Sequence, residues 1–552
     1  MDHSTSRSMF SRVCKKHPLS SRLMLSSTEH LNPTSSSQAD RMSGQTATGR
    51  TTSRDRDLVN FSPSDPEDPR NWPERRKWSI VAAITLVDLT VSWGASGFSP
   101  ASKKFTQDFH VSTEVGVLGL SMYVLGLAWG PMTLAPLSEY FGRSLLYIIP
   151  YGCYLCFLVG TALVQNLGGF LVLRILSGLF ASVTIANFGG TIADMWSRDQ
   201  VGPAMSVFLW AAVCGSPSGY FLFSFVAATR PWRTVIWAIL GVCGGCWLIL
   251  CAVLLGFNNE TRHSVLLRRR AEKLRRERQT SNVDVPDEMR QKSLGQLFKV
   301  TLSRPFKFLL TEAIIIFAAL YNGYLYGLSF LFNDAFNLVF GMEGKGFSVV
   351  GVGLTFLGLV VGITLGPIIN IWQERYYQKR IHEGRSRSAV ERLEASKDDR
   401  LPNIPEARVQ LGKIAAITFP VSLWWFAWTS PTEYHIHWIV PVLATVLFGW
   451  SFYALILMTY LYIEDSYMVF SASALAGVGL IRNLAGAGFP LFGNQLFENE
   501  GYNWAGTILA CLAMLLIPIP FILEKYGTKL RTRSPWARQH MNGDEQNPHD
   551  DR

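Results

Sequence analysis

Charge is scarce in this chain. Asp, Glu, Lys and Arg make up 17% of its 552 residues, against 48% hydrophobic, whereas soluble domains carry about 25% charged residues. An ordinary soluble enzyme is excluded, and a polytopic membrane protein is indicated. Signatures of catalysis are missing too. No G-x-x-x-x-G-K-[S/T] loop is present to cradle a nucleotide, and no His, Cys and acid residues share metal-ligand spacing. Cysteine is sparse at eight, and nearly all lie inside apolar runs. Cys153-x-x-Cys156 and Cys243-x-x-Cys246 lack the strand-turn-helix setting of a redox pair, so neither a disulfide framework nor metal chemistry is expected. The first 70 residues contain no sustained apolar run, which excludes a signal peptide. They are rich in Ser, Thr and Arg, with Pro33, Pro63, Pro66 and Pro69, and read as a disordered cytosolic tail. Arg7, Arg12, Lys15, Lys16 and Arg22 give that tail only a faint likeness to an organelle transit sequence.

What the chain has is long apolar runs. They fall at about 78–98, 113–134, 145–164, 169–190, 203–227 and 232–257, then 306–332, 347–372, 413–429, 437–463, 470–497 and 503–523. Each is close to the twenty residues that cross a bilayer as a helix. The expectation is twelve spans in two sets of six, which suits a transporter built from repeats better than a channel or receptor. The domains then read as a tail (1–70), a six-helix bundle (71–257), a basic central loop (258–305), a second six-helix bundle (306–525) and a tail (526–552). A net charge of +10 could suggest nucleic acid, but the cations gather in blocks between apolar runs. Arg75, Arg76, Lys77, Arg143, Arg198, Arg268-Arg-Arg270, Arg375, Lys379, Arg380, Lys525 and Lys529 would share one face, leaving little beyond Lys103, Lys104, Arg230, Arg233 and Lys345 opposite. Both termini are therefore expected in the cytosol, and the Asn60 and Asn259 sequons should stay unglycosylated.

The connection between the second and third spans reads Ala135-Pro136-Leu-Ser-Glu139-Tyr-Phe-Gly142-Arg143. This resembles the G-x-L-a-D-r-x-G-R loop of the major facilitator superfamily, in the P-L-S-E-x-x-G-R form of fungal drug:proton antiporters. Asp68-Pro-Arg-Asn-Trp72-Pro, Trp232-Arg233, Asn259-Glu260-Thr261-Arg262, Tyr462-Ile-Glu-Asp465-Ser-Tyr467 and Arg482-Asn483-Leu-Ala-Gly-Ala-Gly-Phe489-Pro490 extend the resemblance over residues 71–536. It implies an all-α fold of two six-helix bundles and places Glu139, Gly142 and Arg143 in a conformational latch. Asp194, at the cytosolic end of the fourth span, or the start of the eleventh span would be the latch's partner. Gly366-Pro-Ile-Ile-Asn370 echoes the loop in the second half, with Asn370 at the acidic position and the later Gly-Arg lost.

An ionisable side chain inside a membrane helix costs about 3 kcal/mol on insertion scales and is a functional candidate by default. Asp88 lies mid-way along the first span, Arg174 inside the fourth, Glu312 inside the seventh and Arg482 inside the eleventh. Each could instead be half of a structural ion pair. Arg174-Ile-Leu-Ser-Gly178 resembles the fourth-helix R-x-x-q-G pattern associated with proton coupling, so Asp88, Arg174 and Glu312 are the proton-coupling candidates, with Arg174 as the cation near Asp88. Ala211-Ala-Val-Cys-Gly215-Ser-Pro217-Ser-Gly219-Tyr220 stands where the antiporter motif g-x-x-x-G-P-x-x-G-G belongs, with the proline displaced by one. Gly215, Pro217 and Gly219 equally suit close helix packing. Tyr321, Asn322 and Tyr326 in the seventh span, with Arg482 and Asn483 in the eleventh, are candidates for lining a substrate cavity.

The chain is thus expected to be a monomeric exporter of small organic molecules, driven by proton antiport with alternating access. It would use no cofactor and no nucleic acid. Its partners would be substrate, protons and the lipid of the plasma membrane or an internal membrane. Proton-coupled nutrient uptake and a transport-inactive receptor are the other readings.

Overall fold

A computed structural model describes residues 57–537 except 63, 198–199, 257–258, 279–282, 287–292, 343, 392–404 and 432–434. The expectation of disorder for 1–56 lies outside the described residues. Among the described residues the chain is helical apart from one two-residue strand pairing. Lipid demands this, because each backbone polar group must find its partner within the segment or a closed sheet. The first half comprises α1 (Glu74–Ser96), a short α2 (Ser102–Phe109), α3 (Thr113–Phe141), α4 (Arg143–Leu163), α5 (Leu167–Ala181), α6 (Val183–Met195), α7 (Val201–Thr229) and α8 (Trp232–Gly256). Asn166 caps α5 through Gly169 N–H at 2.7 Å, and α5 and α6 make one span interrupted at Ser182. After α9 (His263–Arg278) come α10 (Leu294–Thr311), α11 (Ala313–Phe340), α12 (Val349–Thr355), α13 (Leu357–Glu391), α14 (Gln410–Thr429), α15 (Ile439–Tyr467), α16 (Ser471–Leu516) and α17 (Pro518–Arg533).

Among the described residues, eleven stretches are long and apolar enough to span. The last, Ser471–Arg533, is 63 residues long and leaves helical geometry at Gly501, where φ is +75°. A single crossing needs only about 20 residues, so this stretch supplies two passes and the total of twelve is recovered. α1 packs on α7 and α8, and α3 on α5. In the second half α11 packs on α16, and α13 and α14 on α15. The halves meet through α3 against α16 and through α7 against α12 and α13.

Two expectations need correction here. The seventh span does not begin near 306. Its helix starts at Ala313, because Glu312 takes extended geometry (φ −104°, ψ 104°) and separates α10 from α11. The apolar run continues across that break, so composition does not mark it. Glu312 is therefore at the very start of α11, where its Oε2 accepts from Tyr467 O–H at 2.8 Å. It is not a charge set deep within the helix.

The second correction concerns 57–70 and 258–305, which are not simply tail and loop. Asp57–Leu58 (β1) pairs in parallel with Val283–Asp284 (β2). α9 is heavily charged, yet Leu267, Ala271 and Leu274 recur at helical spacing and pack with Val285, Val59 and Phe61. Arg270 donates to Asp65, and this bond, with the Glu67 N–H, holds the Asp65 carboxyl below the usual carboxylate value. For an acid depressed in the folded state, the stabilisation is complete above its ordinary value of about 3.9 and is lost as pH falls. Proteolysis near Arg270 should accordingly be unchanged from pH 7 to 5 and rise only well below pH 4. The Asp65→Asn variant should be cut more readily at every pH.

Candidate functional site

On the face bearing the start of α1, a charge network surrounds the turn between α3 and α4. Gly142 has φ +98°, and a Cβ there would run into the Glu260 carboxylate; only glycine adopts this geometry cheaply. The turn aims the N-terminus of α4 at Glu260, whose Oε1 accepts from Arg143 N–H at 2.9 Å and whose Oε2 accepts from Ser144 N–H at 3.2 Å. A carboxylate suits the positive end of a helix. The Thr261 and Arg262 N–H groups, at 3.0 and 2.9 Å, complete its shell. The Arg143 side chain donates to Ser138 Oγ at 2.6 Å and to Asp194 Oδ2 at 3.4 Å. Asp194 also lies 3.7 Å from Arg262 and 3.9 Å from His263, which in turn sits 3.1 Å from Asp68. Glu139 is exposed and among the described residues pairs with Arg262, at 3.9 Å. Glu139, Gly142, Arg143 and Asp194 thus come together, but through residues 259–263. Among the described residues, the partners of Arg143 do not include the start of the eleventh span.

The second half holds a matching cluster that the sequence did not reveal. Arg408, in the turn Pro405–Val409 before α14, is buried between Glu374 of α13 at 2.5 Å and Asp465 of α15 at 3.1 Å. Its guanidinium lies 3.2 Å from the Tyr377 ring. Arg408 stands to Asp465 as Arg143 stands to Asp194.

The remaining candidates lie within the membrane helices. Asp88 is 1% exposed. Its Oδ1 accepts from Thr184 O–H at 2.6 Å, and its Oδ2 has no hydrogen-bond partner among the described residues. The cation in electrostatic reach of it is Arg482 of α16, not Arg174 as expected. Arg174 donates to Gly94 O at 2.8 Å and is enclosed by the Phe98, Phe170 and Tyr123 rings. Gly94 is six residues beyond Asp88, about 9 Å along α1. Arg482 donates to Tyr460 O–H at 2.6 Å and lies 4.3 Å from the Tyr326 ring. Asn483 donates to Leu127 O at 3.2 Å, a direct bond from the second half to the first. Tyr321 is buried, and Asn322 bonds Thr459 Oγ1 at 2.9 Å and Ala318 O at 2.8 Å. Gly215 and Gly219 bring α7 against Ser92 and Ser96 of α1, with Pro217 buried between them. Ser96 donates to Ser216 O at 2.6 Å, sealing the crossing. One acid was missed: Asp334 of α11, whose Oδ2 is enclosed without a partner among the described residues.

The family model of the Major Facilitator Superfamily matches residues 84–474. The chain is 35% identical over 492 residues to the MFS-type efflux pump MFS2 of Trichophyton rubrum, covering 89% of this chain and 79% of that one. It is also 35% identical to the major facilitator superfamily multidrug transporter mdrA of Aspergillus fumigatus, covering 89% and 77%. The solved proton:xylose symporter XylE superposes with a TM-score of 0.55 at 12% identity, over 82% of this chain and 96% of the symporter, a likeness of fold. With the match of sequence spanning most of its length, the chain belongs to the major facilitator superfamily and is a multi-pass membrane transporter.

Proposed function

We propose that this transporter exports small organic molecules by proton antiport, with Asp88 as the proton carrier. One observation carries the coupling: a carboxylate of the first half, Asp88, and a cation of the second, Arg482, are both buried and interact electrostatically, with no direct ion pair between them among the described residues. A dry carboxyl is better neutral, whereas one faced by a cation is better ionised. Relative movement of the halves changes which condition Asp88 meets, so each cycle can load and release a proton. That is alternating access coupled to an ion gradient. A tenfold proton gradient supplies about 1.4 kcal/mol and 100 mV adds about 2.3 kcal/mol per charge, enough for substantial accumulation. Export is supported by the name of the Trichophyton rubrum relative, an efflux pump, and the distribution of cations supports a cytosolic position for the basic face and both termini.

The test is flux of a fluorescent multidrug probe such as rhodamine 6G into inside-out vesicles under an imposed acid-inside gradient. Accumulation that a protonophore collapses supports antiport, and accumulation only under the opposite gradient indicates symport. Binding without any flux indicates a receptor.

The Arg143 network is proposed as the latch that holds this face. Arg143→Ala leaves Asp194 with Arg262 and His263 but frees Ser138 and weakens the α3–α4 turn. A bias of about 1–2 kcal/mol would change a two-state ratio by a factor of about 5–30. Transport should fall by such a factor while membrane delivery and thermal stability change little; unaltered flux would rule out the latch.

A further inference from the structure

A cavity of about 530 Å³ lies where α7 meets α13, at the level where α1 begins, and contains none of the candidate substrate residues. Its walls are apolar, from Pro203, Val207, Pro367 and Ile371, and Trp78 closes one side. Its outer rim faces lipid, since Ile368 and Ile371 are exposed on a membrane helix. Tryptophan at a helix start marks the headgroup level.

Two polar side chains at this cavity are unused. Asn370 is 5% exposed yet makes no hydrogen bond among the described residues, although a buried amide normally finds partners. Arg375 has no ion-pair partner among the described residues. The neighbouring acid, Glu374, also lines the cavity, but its carboxylate is engaged by Arg408 at 2.5 Å and by the Gln378 amide at 3.0 Å. An apolar shaft ending in an unpaired cation and an unpaired amide at headgroup depth has the shape of an amphiphile with an anionic head.

We propose that this cleft binds an anionic phospholipid of the surrounding leaflet, with its headgroup on Arg375 and Asn370 and one acyl chain along Pro203, Val207 and Ile371. The charge complementarity and the lipid-facing mouth single out a bilayer lipid. Because α7 belongs to the first half and α13 to the second, the bound lipid touches both and is sensitive to their separation. The inference requires no assumption about transport direction.

Native mass spectrometry of the purified full-length protein, titrated with phosphatidylserine or phosphatidylcholine, tests it. One cation near a membrane surface supports about a fivefold preference for the anionic lipid. Arg375→Gln should bring that preference close to one, while Arg380→Gln, whose side chain already pairs with Tyr376 and Glu383, should leave it intact. Val207→Trp, which fills the shaft, should lower retention of both lipids, with thermal unfolding confirming that each variant is folded. An unchanged preference in Arg375→Gln, or unchanged retention in folded Val207→Trp, overturns the proposal. It is also overturned if vesicles accumulate labelled dodecanoate through the wild type but not through Arg375→Gln, since the cleft would then be taking cargo.

Discussion

Vesicles bearing Asp88→Asn are expected to bind substrate but not to concentrate it when a pH gradient is imposed. Asparagine matches aspartate in shape, and its amide oxygen can still accept the Thr184 hydroxyl that now lies 2.6 Å from Oδ1, so folding should be preserved. What it cannot do is exchange a proton. The wild type should approach a tenfold concentration ratio per pH unit for one proton per cycle, the limit set by about 1.4 kcal/mol, whereas the variant should stay near one while retaining downhill exchange. Glu312→Gln should keep the wild-type dependence, because Glu312 sits ahead of the first turn of α11 and accepts from Tyr467. If Asp88→Asn retains full pH dependence, Asp88 is structural, and Asp334 becomes the next membrane acid to substitute.

The largest loss of stability should come from Arg408→Gln. That change leaves Glu374 and Asp465 facing each other in a site where Arg408 is 3% exposed. Removing one partner of a buried charge cluster costs about 3–5 kcal/mol, because the remaining charges are uncompensated. Thermal unfolding in detergent should show a marked drop. Neutralising the acids as well, in Arg408→Gln with Glu374→Gln and Asp465→Asn, should recover much of the loss, since an apolar or neutral replacement of a whole cluster is often tolerated. A single variant as stable as the wild type would show that Arg408 contributes little, whatever its geometry.

The contrast between Arg143 and Arg408 explains what was legible in the sequence. Arg143 follows Glu139 by four residues in a short turn between two apolar runs, so spacing alone assigns it to a loop at the membrane face. Arg408 is separated from Glu374 by 33 intervening residues, part of them polar, and no local pattern links the two. The spans were readable because lipid enforces length and apolarity. The break at Glu312 was not, since apolar residues lie on both sides and only a tertiary bond to Tyr467 gives the acid a reason to stop a helix. Asp88 and Arg482 each stood out as charges among apolar residues. Their electrostatic interaction depends on how the two halves pack through α3 and α16, which periodicity within one segment cannot specify. Glu260 lay within a quoted pattern, but its service to the start of α4 became apparent only once residues 142–144 and 259–262 were adjacent.

The pairing of β1 with β2 also sets a leash between the two bundles. Because α9 and Val285 are fastened to residues 57–65, the connection is anchored to the first half as far as Val285, and nine residue steps of chain separate Val285 from Leu294 at the start of α10. Fully drawn out at about 3.6 Å per residue, that tether reaches at most about 32 Å. The separation of Val285 from Leu294 therefore has an upper bound written into chain length, and unfastening β1 would lengthen the leash without touching a single membrane helix.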